Sequence, residues 1–106
     1  MLATIADIFK NPTDWCERPA EVFGIFTYKL ENITIRDTEF GGQALWVEFD
    51  PDTIEIVGFE LKEGTSKNVV IEGYVSIGPA GHFGMCEGEI HHVTRITSAK
   101  RYFGQQ

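Results

Sequence analysis

Basic residues are scarce in this chain, as are cysteines and long apolar runs, and each scarcity closes off a class of function. Nine Lys and Arg stand against sixteen Asp and Glu, for a net charge of −7. That balance repels phosphate backbones and argues against a nucleic-acid role. The two cysteines, Cys16 and Cys86, fit no CxxC spacing and are expected to be buried free thiols rather than a bridge. No apolar run approaches the roughly 18 residues of a membrane span, so no membrane partner is expected. The opening MLATIADIFKNP lacks a basic region ahead of an apolar stretch, so it does not read as a secretory signal. A soluble cytoplasmic protein of bacterial type is the expectation.

What is present is the material for a packed interior. Of the 106 residues, 42% are apolar and 12% aromatic, which fits one ordinary domain and argues against disorder. The expected organisation is a helix and lead-in over 1–19, a barrel over 20–98 and a tail over 99–106. TIADIFK places Ile5, Ile8 and Phe9 on one helical face. Thr4 can cap that helix with Asp7 as its capping-box partner, and Asn11-Pro12 ends it. EVFGIFTYKL alternates Val22, Gly24, Phe26 and Tyr28 against Phe23, Ile25 and Thr27. In ALWVEFD, Leu45, Val47 and Phe49 point one way and Trp46, Glu48 and Asp50 the other. TIEIVGFEL (53–61) reads equally as a short strand or an irregular connection. KNVVIEGYVSI and GEIHHVTRITS supply the last strands. Two long strands carry an interior glycine, Gly24 and Gly73, as a sheet that bends to close on itself requires. The predicted fold is all-β: a five- to six-stranded Greek-key barrel of the oligonucleotide/oligosaccharide-binding (OB) type with a short N-terminal α-helix. An open β-sandwich is the runner-up.

The run TIADIFKNPTDWCERPAEVFGIF resembles the opening of small bacterial OB-fold domains, where a short helix and an Asn-Pro lead into the first strand. VVIEGYVSIGPAGHFGMCEGEIHHVTRI is similar to a strand–glycine–strand, GHxG-like turn and final strand ending "TRI" in small bacterial proteins. Together the two stretches cover about half the chain. The resemblance implies a fold and brings no catalytic residues with it.

Chemistry-bearing residues crowd into GPAGHFGMCEGEIHH, which holds His82, His91, His92 and Cys86. Zinc needs four converging ligands, and in a regular strand His91 and His92 face apart. No metal or other cofactor is therefore expected, although a β-bulge at the pair would reopen the question. Cys86 beside Glu87 reads as a poor thiolate. The pairs Glu87/Glu89 and Glu48/Asp50 read as solvent-facing charge, so the chain is expected not to be an enzyme. His82 is the one residue of the glycine-rich turn singled out as a binding candidate.

The charge is local. Residues 31–66 hold nine acids against Arg36 and Lys62, a sum of −7 that equals the charge of the whole chain. Single-strand binding would need aromatic platforms interleaved with a basic groove. The aromatics Phe26, Tyr28, Trp46, Tyr74 and Phe83 lie instead among acids. The expected function is non-enzymatic binding of a basic protein, of the immunity or inhibitor type that covers a toxin or nuclease surface. The expected contact residues are Trp46, Glu48, Asp50, Glu39, Asp37, Tyr28, Tyr74 and His82. The alternative is an OB module for single-stranded nucleic acid or a small ligand.

Overall fold

The computed structural model describes residues 2–38, 41–80 and 86–104. The elements in chain order are β1 (Leu2–Thr4), α1 (Ile5–Lys10), α2 (Pro12–Trp15), β2 (Pro19–Lys29), β3 (Asn32–Thr38), β4 (Gly41–Val47), β5 (Glu55–Val57), β6 (Thr65–Ala80), β7 (Cys86–Ser98) and α3 (Ala99–Tyr102). Five strands close into a barrel. β2 pairs antiparallel with β3, and β3 with β4. β4 runs parallel to β7, and β7 pairs antiparallel with β6, which returns to β2. This is the Greek-key order of an OB-type barrel, and closure leaves the five strands without a free edge. β1 and β5 add to the sheet outside the ring, each by a short parallel pairing, with β2 and β7 respectively.

Alternation fills the inside. Val22 and Phe26 of β2, Ile35 of β3, Leu45 and Val47 of β4, Val69, Ile71 and Val75 of β6, and Ile90 and Ile96 of β7 are fully or almost fully buried. Gly24 and Gly73 sit where the barrel turns. A Cβ on Gly24 would stand 2.7 Å from the Arg36 carbonyl oxygen, and one on Gly73 would stand 2.8 Å from that of His91. Neither position has room for a side chain.

α1 forms as its sequence predicts. The Thr4 side chain accepts from the Asp7 amide while the Asp7 carboxylate accepts from the Thr4 amide, a complete capping box. Ile5 and Ile8 are completely buried in the barrel core, each worth about 1.5–3 kcal/mol of transfer free energy. Two short elements depart from expectation. Pro12 ends α1 but also starts α2, proline being suited to the first helical turn. The basic tail folds as α3, capped by the Ser98 hydroxyl, which accepts from the Arg101 amide at 3.3 Å. Residues 53–61 resolve into β5 followed by irregular chain, with Ile54, Ile56, Phe59 and Leu61 packed on the core.

Candidate functional site

Three places on the surface gather chemistry-bearing residues, and the sequence singled out residues in the first two. Trp46 stands half-buried on the outer face of β4, opposite Glu89 across the parallel β4–β7 seam. Glu48 and Asp50 follow the end of β4, and both are exposed. Tyr28 turns inward instead, packing with Phe26 and Phe49 at ring-centroid separations of 6.3 and 6.0 Å. Tyr74 belongs to a different part of the surface, described below. Asp37 is exposed, and its carboxylate accepts from the Ile5 amide at 3.2 Å, tying α1 to β3. Glu39 and His82 lie outside the described residues.

The nine acids of 31–66 are not equivalent. Asp50 holds a turn, its carboxylate accepting from the Asp52 amide at 2.9 Å. Glu63 accepts from the Leu30 amide at 3.1 Å, and Glu55 pairs with Arg95 at 2.9 Å. Asp37, Asp50, Glu55 and Glu63 therefore shape the chain as well as charge it, while Glu48, Asp52 and Glu60 stand exposed.

The second place corrects the sequence reading. His91 and His92 do not face apart. Tyr74 is opposite His91 and Glu72 is opposite Arg95, so Gly73 alone faces the three residues 92–94. This bulge throws His92 into the left-handed region, at φ 51°. The two imidazoles come together, their Nδ1 atoms 2.6 Å apart and their centroids 4.8 Å apart. The Tyr74 ring lies beside both.

From this pair a chain of hydrogen bonds runs across the surface. The Ser76 hydroxyl donates to Glu17 Oε1 at 2.5 Å and contacts His91 Nε2 at 2.9 Å. A hydroxyl has one hydrogen, so His91 donates to Ser76 through Nε2–H. In a neutral ring that leaves His91 Nδ1 as acceptor and assigns the Nδ1 hydrogen to His92. With both rings neutral, the order of donation is His92, His91, Ser76, Glu17. Glu17 is itself left-handed, at φ 58°, with its amide bound to the Val75 carbonyl at 2.8 Å. Its carboxyl is held below the ordinary glutamate value, chiefly by the Ser76 hydrogen bond. Beside His92 and Tyr74 opens a cleft of about 300 Å³, walled by Pro19, Glu21, Glu72 and Thr94.

This arrangement is not that of an activated serine. The Ser76 hydrogen points at a carboxylate made less basic by that same bond, and His91 meets the oxygen as a donor. Nor does it hold a metal ligand set. Among the described residues no three His, Cys, Asp or Glu side chains converge on one point. The 2.6 Å gap between the imidazole nitrogens suits a shared proton rather than an ion at about 2.0 Å from each. Both thiols are raised above their ordinary value, Cys86 by burial and Cys16 by burial and then by Glu17, so neither is a ready nucleophile.

The third place, missed in the sequence, lies where α3 meets β2 and β6. Phe23, Lys67, Asn68, Ser98, Ala99, Lys100 and Phe103 wall a cleft of about 400 Å³ there. The nearness of Lys67 to Lys100 depends on β6 and α3 packing together, which no local pattern announces.

Fold and surface together define a small closed OB-type barrel carrying an acidic, tryptophan-bearing face. Compared with protein-family models, with curated proteins and with solved structures, the chain gives no match.

Proposed function

We propose that this protein is a non-enzymatic binding protein whose partner is a basic protein, docked on the Trp46 face. The carrying observation is the placement of Trp46 near carboxylates: Glu89 lies opposite it in register, and the exposed Glu48 follows just beyond the end of β4. An indole with carboxylates beside it suits an arginine or lysine, which can stack on the ring and pair with the acids. Tryptophan is also the side chain most enriched among residues that dominate binding energy. The exposed Asp50 and Asp52 extend the negative field, and the net charge of −7 speeds encounter with a basic surface. An immunity-type or inhibitor protein covering a toxin or nuclease is the concrete form of this reading.

Affinity capture from the native host tests it. A basic protein is expected to copurify and to dissociate as salt is raised, because pairs at an interface rim are screened. Trp46→Ala is expected to weaken capture by about tenfold or more. A partner retained unchanged in molar salt, or equally by the Trp46→Ala protein, overturns the reading.

A further inference from the structure

The cleft between β2, β6 and α3 is the inverse of the surface around it. In a chain with sixteen acids, its wall contains, among the described residues, no carboxylate but two lysines and two phenylalanines. Lys67 and Lys100 are exposed, and neither is ion-paired with a described residue. Phe23 and Phe103 meet edge to face, with centroids 5.7 Å apart and ring planes at 78°. Phe103 remains 48% exposed, so much of its surface is available to a ligand. The Ser98 cap fixes α3 and with it Lys100 and, one residue beyond the helix, Phe103.

Each part favours the same chemistry. An exposed phenyl surface takes a flat ring by stacking, and the edge-to-face contact with Phe23 limits how the Phe103 ring turns. Two ammonium groups supply donors and positive charge for an anion. The Asn68 amide offers both a donor and an acceptor to the edge of a heterocycle. A volume of about 400 Å³ accommodates a single small molecule. A long polyanion would meet the net negative charge of the rest of the protein.

We infer that this cleft is a binding site for a small planar anion, a heteroaromatic ring bearing one phosphate or carboxylate, with a nucleoside monophosphate as the representative ligand. It shares no residue with the Trp46 face and does not depend on the partner proposed there.

The test is an amide-resolved NMR titration at low salt with adenosine 5′-monophosphate, and separately with adenosine, inorganic phosphate and a short oligothymidylate. The monophosphate is expected to give saturable shifts centred on Phe23, Asn68, Lys100 and Phe103. Adenosine and phosphate alone are each expected to bind about tenfold more weakly or worse. The double variant Lys67→Glu/Lys100→Glu should stay folded, since both side chains are exposed, and lose at least about tenfold in affinity. Phe103→Ala should lose affinity without altering the response to phosphate. No saturable shift at millimolar monophosphate, or shifts unchanged in the double variant, overturns the site. Phosphate binding as tightly as the monophosphate removes the planar requirement and overturns the class, as does oligothymidylate binding more tightly than the monophosphate.

Discussion

Strand β7 passes through two unlike neighbourhoods within a few residues. At Glu89 and Ile90 it pairs in regular register with Trp46 and Val47, so one side chain points outward and the next is buried. From His91 to Arg95 the register against β6 slips, and consecutive side chains are brought together instead of apart. The first neighbourhood is open, charged and built from ordinary strand. The second is tight, contains two non-glycine residues at positive φ and is laced by side-chain hydrogen bonds. Regular pairing leaves a surface that can change without disturbing the fold. A bulge ties surface chemistry to backbone geometry, so the same kinds of substitution should have unequal consequences in the two places.

The largest difference should come from Gly73, the residue around which the slip is built. A Cβ there would approach the His91 carbonyl oxygen to 2.8 Å and Ile90 Cγ1 to 3.0 Å, and backbone cannot yield as a side-chain tip can. Gly73→Ala is expected to cost about 1–3 kcal/mol, and Gly73→Val more. Urea denaturation measures the loss, and the imidazole NMR signals of His91 and His92 should shift with it. A Gly73→Ala protein as stable as the parent would mean that the corner is far softer than its contacts suggest.

Next in size is the left-handed residue itself. His92 at φ 51° occupies a region that costs an L-residue about 1–2 kcal/mol and a β-branched one more. His92→Val should therefore be less stable than His92→Gly by about that amount, although valine is the better strand former elsewhere. Equal stabilities would show that the chain leaves the left-handed conformation when the ring is removed. In the parent, an imidazole signal should report the Nδ1-protonated form of His92, and it should vanish in both variants.

Much of the barrel was legible in the sequence, for a physical reason. Alternation in 21–30 and 44–50 is a property of the strand itself, so the burial of Val22, Phe26, Leu45 and Val47 follows without knowledge of the partner strands. The interior glycines were legible as bends because closing a small sheet leaves few other places for them. The His91–His92 corner was not, because alternation assumes one residue for one residue across the ladder. That count is broken only by what Gly73 faces on the neighbouring strand. Helices α2 and α3 span four residues each, too few for a helical period to show. The inward turn of Tyr28 was in fact written in its alternation with Phe26, yet its aromatic character drew it into the candidate surface. The outer position of Trp46 follows from the same rule.

A smaller effect should separate the two regions by pH. The Glu17 carboxyl is lowered from its ordinary value of 4.5, first by the Ser76 hydrogen bond and further by His91. A carboxyl lowered in the folded state favours folding above its unfolded pKa, and that contribution is lost as pH falls through the folded value. Glu17→Gln should therefore flatten the decline of the urea midpoint below about pH 4.5 and lower the midpoint at neutral pH by the same amount, which is small because Glu17 is exposed. Ser76→Ala should flatten it similarly by removing the first cause. A decline of unchanged steepness in both variants would mean that the relay does not hold its carboxylate.

The smallest effect on stability belongs to the open face, and it is the one most informative about function. Glu48 is exposed beyond the end of β4, and Glu89 is half-exposed opposite Trp46. The double variant Glu48→Gln/Glu89→Gln is expected to unfold within about 0.5 kcal/mol of the parent, as substitutions at unstrained surface positions do. Its association with the basic partner proposed for this face should nevertheless slow, and the dependence of that rate on salt should become shallower, because rim charges act on encounter more than on the packed complex. A stability change as large as that of Gly73→Ala would place these carboxylates in the framework of the barrel. Unchanged stability together with an unchanged association rate would remove the acidic face from the interface, leaving the negative charge of the chain to keep it dispersed in water.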